Sequence, residues 1–146
     1  MMRIMVIDDE LMIREVLFEY FTGLGHHVVT ADDGCRALSL YGRLHAEGEK
    51  IDLVMTDKNM PELDGISFMR QIRDKHQYHG PAILMTADRN EEDKRNFLCL
   101  GGKMVYLEKP FSLSRLGGLL DEVSQENGQL DRLSHGATGS GGSDRV

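Results

Sequence analysis

DLVMTDKNMPELDG, residues 52–65, joins an apolar, strand-like segment to a polar turn. The junction is Asp57, a bare carboxylate at the end of a segment that otherwise has the composition of a buried strand. An aspartate in such a place often does no more than start a turn. A more specific role for Asp57 requires partner residues from elsewhere in the chain.

The composition indicates one soluble globular domain, since the chain has 146 residues, 40% hydrophobic and 28% charged. The net charge of −7 argues against a nucleic-acid-binding surface, which needs Lys and Arg in excess. No apolar segment is long enough for a signal peptide or a membrane span, so we expect a cytoplasmic protein without membrane contact. Cys35 and Cys99 lack metal-ligand spacing and are expected to be packed, reduced thiols.

Short apolar segments alternate with segments of helical spacing five times along the chain. The strand candidates are residues 4–7, 27–29, 51–55, 82–85 and 104–107, and the helix candidates are 13–24, 33–46, 66–72, 90–100 and 113–123. This alternation predicts an α/β fold with a five-stranded parallel sheet and helices on both faces. We expect this domain to cover residues 1–127, followed by a Gly/Ser-rich, disordered tail over 128–146.

The fourth helix candidate is polar on all sides for its first two turns. Only Phe97, Leu98 and Leu100 are apolar enough to anchor it. We therefore expect this helix to be loosely held.

Polar side chains follow four of the five predicted strands. Asp8 and Asp9 come after the first strand, Asp57 after the third, Thr86 after the fourth and Lys109 after the fifth. The carboxyl ends of parallel strands meet at one edge of the sheet, where ligands of such folds bind. These side chains are therefore predicted to converge. The two adjacent acids could also cap the first helix, and one of them could cap while the other binds a metal.

The predicted cluster has the chemistry of phosphoryl transfer. Three carboxylates repel one another unless a cation bridges them, and Mg²⁺ prefers such hard oxygen ligands. Lys109 would add a point charge for a phosphate oxygen, and Thr86 would add a hydroxyl donor. A carboxylate is also a competent nucleophile for forming an acyl phosphate.

Four motifs in this sequence resemble those of response-regulator receiver domains in two-component signalling. They are VIDDE (6–10), DLVMTDKNMPELDG (52–65), ILMTAD (83–88) and YLEKPF (106–111). Each motif is weak alone, but all four occur in the family's order and at its usual separations. The resemblance covers residues 2–126 and implies the (βα)5, doubly wound, flavodoxin-like fold of a chemotaxis-type receiver.

The resemblance implies a role for each acid of the cluster. Asp57 would be the phosphoacceptor and also a ligand of a bound Mg²⁺ or Mn²⁺. Asp9 would be a direct metal ligand, and Asp8 would reach the metal through water. The main-chain carbonyl of Asn59 would be the third protein ligand.

The same resemblance implies a switch made of three further residues. Lys109 would contact the phosphoryl group, and its bond to Pro110 would be cis. Thr86 would supply the switch hydroxyl, and Tyr106 would be the aromatic side chain that turns inward on activation. The fourth helix, fifth strand and fifth helix would then change their surface.

The implied partners are a sensor histidine kinase or phosphotransfer protein as donor and a downstream protein as target. A phosphorylation-dependent homodimer is compatible with this scheme. We favour a stand-alone receiver over the receiver portion of a longer regulator whose DNA-binding or enzymatic domain is missing.

A phosphatase would need an acid two residues after its nucleophile, where this chain has Asn59, so we expect no turnover beyond the domain's own phosphorylation and dephosphorylation. Lys58 has no role that the sequence indicates.

Overall fold

The computed structural model describes residues 1–127, so the tail predicted for residues 128–146 lies outside the described residues. The chain divides into two compact units, Met1–Glu108 and Lys109–Val146. The first unit contains β1 (Arg3–Ile7), α1 (Leu11–Gly23), β2 (His27–Ala31), α2 (Gly34–Ala46), β3 (Leu53–Asp57), α3 (Gly65–His76), β4 (Ala82–Thr86), α4 (Glu91–Leu98) and β5 (Met104–Glu108). The second unit contains α5 (Leu113–Asn127).

The five strands form one parallel sheet in the order β2-β1-β3-β4-β5. The chain runs outward from β1 to β2 and then returns past β1 to build β3, β4 and β5 in sequence. Right-handed crossovers therefore place α1 on one face of the sheet and α2, α3 and α4 on the other. The predicted parallel α/β architecture is confirmed.

The central strands of the sheet are buried. Every residue of β3 and of β4 is buried, as expected for parallel strands covered on both faces. On the α2–α4 side, the fully buried Phe68, Met69 and Ile72 of α3 pack into the main apolar cluster. The rigid central strands therefore end at a defined edge, where the polar residues follow.

Four helices begin at polar side chains that accept a hydrogen bond from the first turn, and for α5 the acceptor is Oγ of Ser112, 3.1 Å from the backbone nitrogen of Arg115. Asp33 accepts from the backbone N–H of Arg36 at the start of α2, and Asp64 accepts from that of Ser67 at the start of α3. Asn90 does the same for α4. Such caps satisfy backbone donors that have no partner within the helix.

The N-cap of α1 is Glu10, which makes no side-chain capping bond. The alternative reading of Asp8 and Asp9 as caps of this helix is therefore wrong. The side chain of Asp8 instead accepts a hydrogen bond from the N–H of Glu10 at 2.9 Å, which orders the loop before the helix.

Two expectations about packing need correction. Leu98 is 42% exposed, so Phe97 is the only buried residue of α4. Cys35 and Cys99 are free, but both are exposed rather than packed. Cys35 lies in the first turn of α2 and Cys99 is the C-cap of α4, where helix ends face solvent.

The start of α3 lies directly against the end of β3. A Cβ added at Gly65 would overlap the carbonyl oxygen of Asp57 and lie 3.0 Å from Cδ1 of Leu84. The N–H of Gly65 also donates to the carbonyl of Lys58 at 2.9 Å. Glycine therefore allows the loop after Asp57 to close tightly.

We predict that Gly65→Ala lowers the free energy of unfolding by about 1–3 kcal/mol, the usual cost of overpacking. Gly23→Ala is the control, because a Cβ there meets nothing within 4 Å. The control should change stability by less than about 1 kcal/mol. Equal effects of the two changes in urea denaturation would contradict the tight contact at Gly65.

Candidate functional site

Strand register brings the three acids together. Ile7 of β1 is paired with Thr56 of β3, so Asp8 and Asp57 are the next residues on neighbouring strands. Asp8, Asp9 and Asp57 each offer a carboxylate oxygen, and these oxygens all lie within 4.8 Å of one another. The sequence prediction that these acids converge is correct.

The burial of the three acids differs, which gives the cluster a closed and an open side. Asp8 is 0% exposed and Asp57 is 7% exposed, whereas Asp9 is exposed. The carbonyl of Asp8 accepts from Nη1 of Arg14 at 2.7 Å, so α1 helps to fix the loop. A ligand would therefore approach from the side of Asp9.

The donor set of this cluster fits a divalent cation. Like charges held this close repel one another, and bringing two of them out of water adds a desolvation cost. Carboxylate oxygens are the ligands that Mg²⁺ prefers, and an open side leaves room for its waters. The cluster thus fits Mg²⁺.

The loop after Asp57 is held by hydrogen bonds to β4 and to the loop that follows β4. The N–H of Lys58 donates to the carbonyl of Met85 on β4 at 2.8 Å. Met60 is buried, while Asn59 is exposed and its side-chain amide donates to Oδ2 of Asp88 at 3.3 Å. The main-chain carbonyl of Asn59 as a metal ligand stays a prediction.

Thr86 is fully buried at the end of β4, one residue beyond the partner of Asp57 in the sheet register. Its Oγ1 accepts from the N–H of Asp88 at 3.1 Å and lies 3.4 Å from the carbonyl oxygen of the same residue. The hydroxyl is therefore engaged by the loop between β4 and α4.

Tyr106 is half-buried on β5, and its hydroxyl is 3.5 Å from the carbonyl oxygen of Asp88. Burial is the largest effect on this phenol and raises its pKa, and the positive charge of Lys58 opposes the rise. The ammonium of Lys94 lies 5.7 Å from the centre of the ring. The two predicted switch side chains, Thr86 and Tyr106, thus meet at the backbone of Asp88.

Lys58, which the sequence left without a role, is one of the most buried charged residues in the described chain, at 4% exposure. Its Nζ lies 2.6 Å from Oδ1 of Asp88 and 2.7 Å from Oδ2 of Asp93. Burial disfavours the ammonium, but the hydrogen bonds to both acids outweigh it and raise the pKa of Lys58. The same ammonium and the Asn59 amide hold the pKa of Asp88 below its ordinary value.

Sequence reasoning missed this group because Asp88 and Asp93 lie 30 and 35 residues after Lys58 in the chain. Acids at a helix start, such as Asp93, are common because they complement the helix dipole. The only available signal was a charged residue directly after a buried strand.

Lys109 belongs to the second compact unit and follows β5 directly. Its peptide bond to Pro110 is cis, as the resemblance implied. Its contact with a phosphoryl group stays a prediction.

Among residues 1–127, no helix is long and apolar enough to cross a membrane.

Comparison with known proteins agrees with this geometry. The response regulator receiver domain profile matches residues 4–121. The chain is 39% identical over 110 residues to the alkaline phosphatase synthesis transcriptional regulatory protein PhoP of Bacillus subtilis, covering 75% of this chain and 43% of that protein. It is 32% identical over 133 residues to the regulatory protein AtoC of Escherichia coli, covering 91% of this chain and 27% of that one. The chain thus spans less than half the length of these two relatives.

Solved structures include similar chains of about the same length. Chemotaxis protein CheY4 of Vibrio cholerae superposes with a TM-score of 0.73 at 29% identity, covering 84% of this chain and 98% of that one. The CheX-CheY-BeF3-Mg complex of Borrelia burgdorferi contains a chain that superposes with a TM-score of 0.74 at 25% identity, covering 84% of this chain and 89% of that one.

The fold, the position of the acid cluster and a profile match over residues 4–121 lead to the same assignment. The chain belongs to the response regulator receiver domain family, the signalling switches of two-component systems.

Proposed function

We propose that Asp57 accepts a phosphoryl group from a phosphohistidine of a sensor kinase or phosphotransfer protein. The observation that carries this proposal is the cluster itself. Asp57 is 7% exposed at the point where the strand order reverses, with oxygens of Asp8 and Asp9 within 4.8 Å. Ligands of open α/β sheets bind at this point.

In the proposed step, a carboxylate oxygen of Asp57 attacks phosphorus and forms a P–O bond. The P–N bond to the donor imidazole breaks, and that imidazole takes up a proton as it leaves. Asp8, Asp9, Asp57 itself and the main-chain carbonyl of Asn59 would hold a divalent cation. Mg²⁺ supplies charge neutralisation there when bound. Lys109 would contact the phosphoryl oxygens.

Phosphorylation would then act through Thr86 and Tyr106. Thr86 would leave the backbone of Asp88 to donate to a phosphoryl oxygen, and Tyr106 would turn toward the vacated space. The expected result is a changed surface on α4, β5 and α5 that a downstream protein reads. Moving the population from 1:99 to 99:1 would need about 5.5 kcal/mol of differential stabilisation.

We propose a receiver over residues 1–127 that controls a protein partner. Delivery of the signal through a DNA-binding or enzymatic output domain remains the second candidate, because PhoP and AtoC are named as regulators and are longer than this chain. Self-catalysed loss of phosphate, homodimer formation and a cytoplasmic location stay predictions. Asn59, two residues after Asp57, supports a switch over a phosphatase.

Phosphate uptake tests whether Asp57 is the acceptor. Wild-type protein should take up phosphate from acetyl phosphate in the presence of Mg²⁺, and Asp57→Asn should take up none, because an amide is not a competent nucleophile for this step. Asp74→Asn is the control, since Asp74 is an exposed acid on α3. Phosphate uptake is read from the mobility shift on phosphate-affinity gels. Uptake by Asp57→Asn at the wild-type rate would contradict the assignment.

The second prediction concerns the cation. Mg²⁺ should raise the melting temperature of the wild-type protein, with a stabilisation of about 2.7 kcal/mol at 100 times its Kd. Asp9→Asn should lose most of this shift and, without Mg²⁺, should melt at or above the wild-type temperature because one repelling charge is gone. Differential scanning calorimetry measures both. An unchanged wild-type melting temperature at millimolar Mg²⁺ would count against the site.

A further inference from the structure

The group of Lys58, Asp88 and Asp93 is not used by the phosphoryl chemistry, yet it lies beside it. Lys58 follows the acceptor Asp57 directly, and its side chain is only 5% exposed. Its ammonium binds one carboxylate from the loop between β4 and α4 and one from the first turn of α4. A single buried cation therefore joins the acceptor strand to α4.

Asp88 connects this cation to the switch hydroxyls. Its carboxylate binds Lys58 at 2.6 Å and receives the amide of Asn59 at 3.3 Å. Its backbone N–H donates to Oγ1 of Thr86 at 3.1 Å. Its backbone carbonyl oxygen lies 3.5 Å from the hydroxyl of Tyr106. Holding the side chain of Asp88 therefore also holds the backbone that engages Thr86.

The first turn of α4 is tied to the same place by two neighbouring residues. Asp93 binds Lys58 at 2.7 Å, and the ammonium of Lys94 lies 5.7 Å from the centre of the Tyr106 ring. Phe97 is the only buried residue of this helix. With so little apolar contact, the position of α4 depends strongly on these charged groups.

We propose that Lys58 is a positioning residue that opposes activation: its ion pairs with Asp88 and Asp93 stabilise the arrangement in which the loop keeps the Thr86 hydroxyl. This role rests on the proposed function. A phosphoryl group on Asp57 competes with the backbone of Asp88 for that hydroxyl. Part of the free energy gained when the phosphoryl group bonds to Thr86 is then spent on releasing the loop from Lys58. A phosphoryl analogue therefore binds the protein with a lower apparent affinity.

Charge explains the sign of the effect. Oδ1 of Asp88 and Oδ2 of Asp93 bind the same nitrogen, so the two carboxylates lie close to each other. Without the ammonium, the two carboxylates would face each other and repel. The loop and α4 would separate, and Thr86 would be released more easily.

The test is a titration of the protein with beryllofluoride, an analogue of the phosphoryl group, at saturating Mg²⁺. Backbone amide chemical shifts monitor binding, and the midpoint is the beryllofluoride concentration at half-saturation. Lys58→Met keeps an unbranched side chain one heavy atom shorter than lysine but removes its charge. We expect its midpoint to fall about 5- to 20-fold below that of the wild type, within the range typical of coupled sites. Asp93→Asn should lower the midpoint about 2- to 5-fold, because one of the two ion pairs is lost.

Lys50→Met is the matched control, because it makes the same change near the opposite end of β3, where the side chain is 84% exposed. Its midpoint should equal that of the wild type. The direction of the shift is diagnostic, since a residue with a merely structural role would leave binding unchanged or weaken it when removed.

An unchanged or higher midpoint in Lys58→Met would overturn the positioning role while leaving the proposed function intact. If Lys58→Met does not fold, Asp93→Asn decides, because Asp93 has a side chain that is 35% exposed and its loss leaves the Lys58–Asp88 pair. An unchanged midpoint in that variant would equally overturn the role. Failure of the wild type to bind beryllofluoride would overturn the proposed function and the positioning role together.

Discussion

Repulsion among three carboxylates at one end of the central strands is the constraint on which this structure depends. The parallel register fixes it, since Ile7 faces Thr56 and the next residues are Asp8 and Asp57. Both acids are nearly or fully buried, so neither can move into solvent without disturbing the sheet. The sheet thus builds a site whose repelling charges a divalent cation would neutralise.

The other side of Asp57 carries a second charged group of opposite design. There a buried cation, Lys58, neutralises two acids, Asp88 and Asp93. Thr86 is one residue beyond the register partner of Asp57, and its Oγ1 accepts from the N–H of Asp88. In the proposed switch, a phosphoryl group on Asp57 would compete with the backbone of Asp88 for this hydroxyl.

The fold and the acid cluster were predictable from the sequence, because strand ends and sheet edges follow from the alternation of apolar and helical segments. Lys58 was not, since its partners lie on another loop and helix and no local pattern links them. The exposure of Cys35, Cys99 and Leu98 was also missed. Apolar spacing in a short, polar helix such as α4 does not show which turn reaches the core.

The most direct test of the central claim is chemical localisation of the phosphoryl group. Protein treated with acetyl phosphate and Mg²⁺ is reduced with borohydride, which converts an aspartyl phosphate to homoserine, and is then mapped by peptide mass spectrometry. Conversion is expected at Asp57 alone, although carboxylate oxygens of Asp8 and Asp9 lie within 4.8 Å of it. Conversion at Asp8, Asp9 or another acid, with Asp57 unchanged, would contradict it.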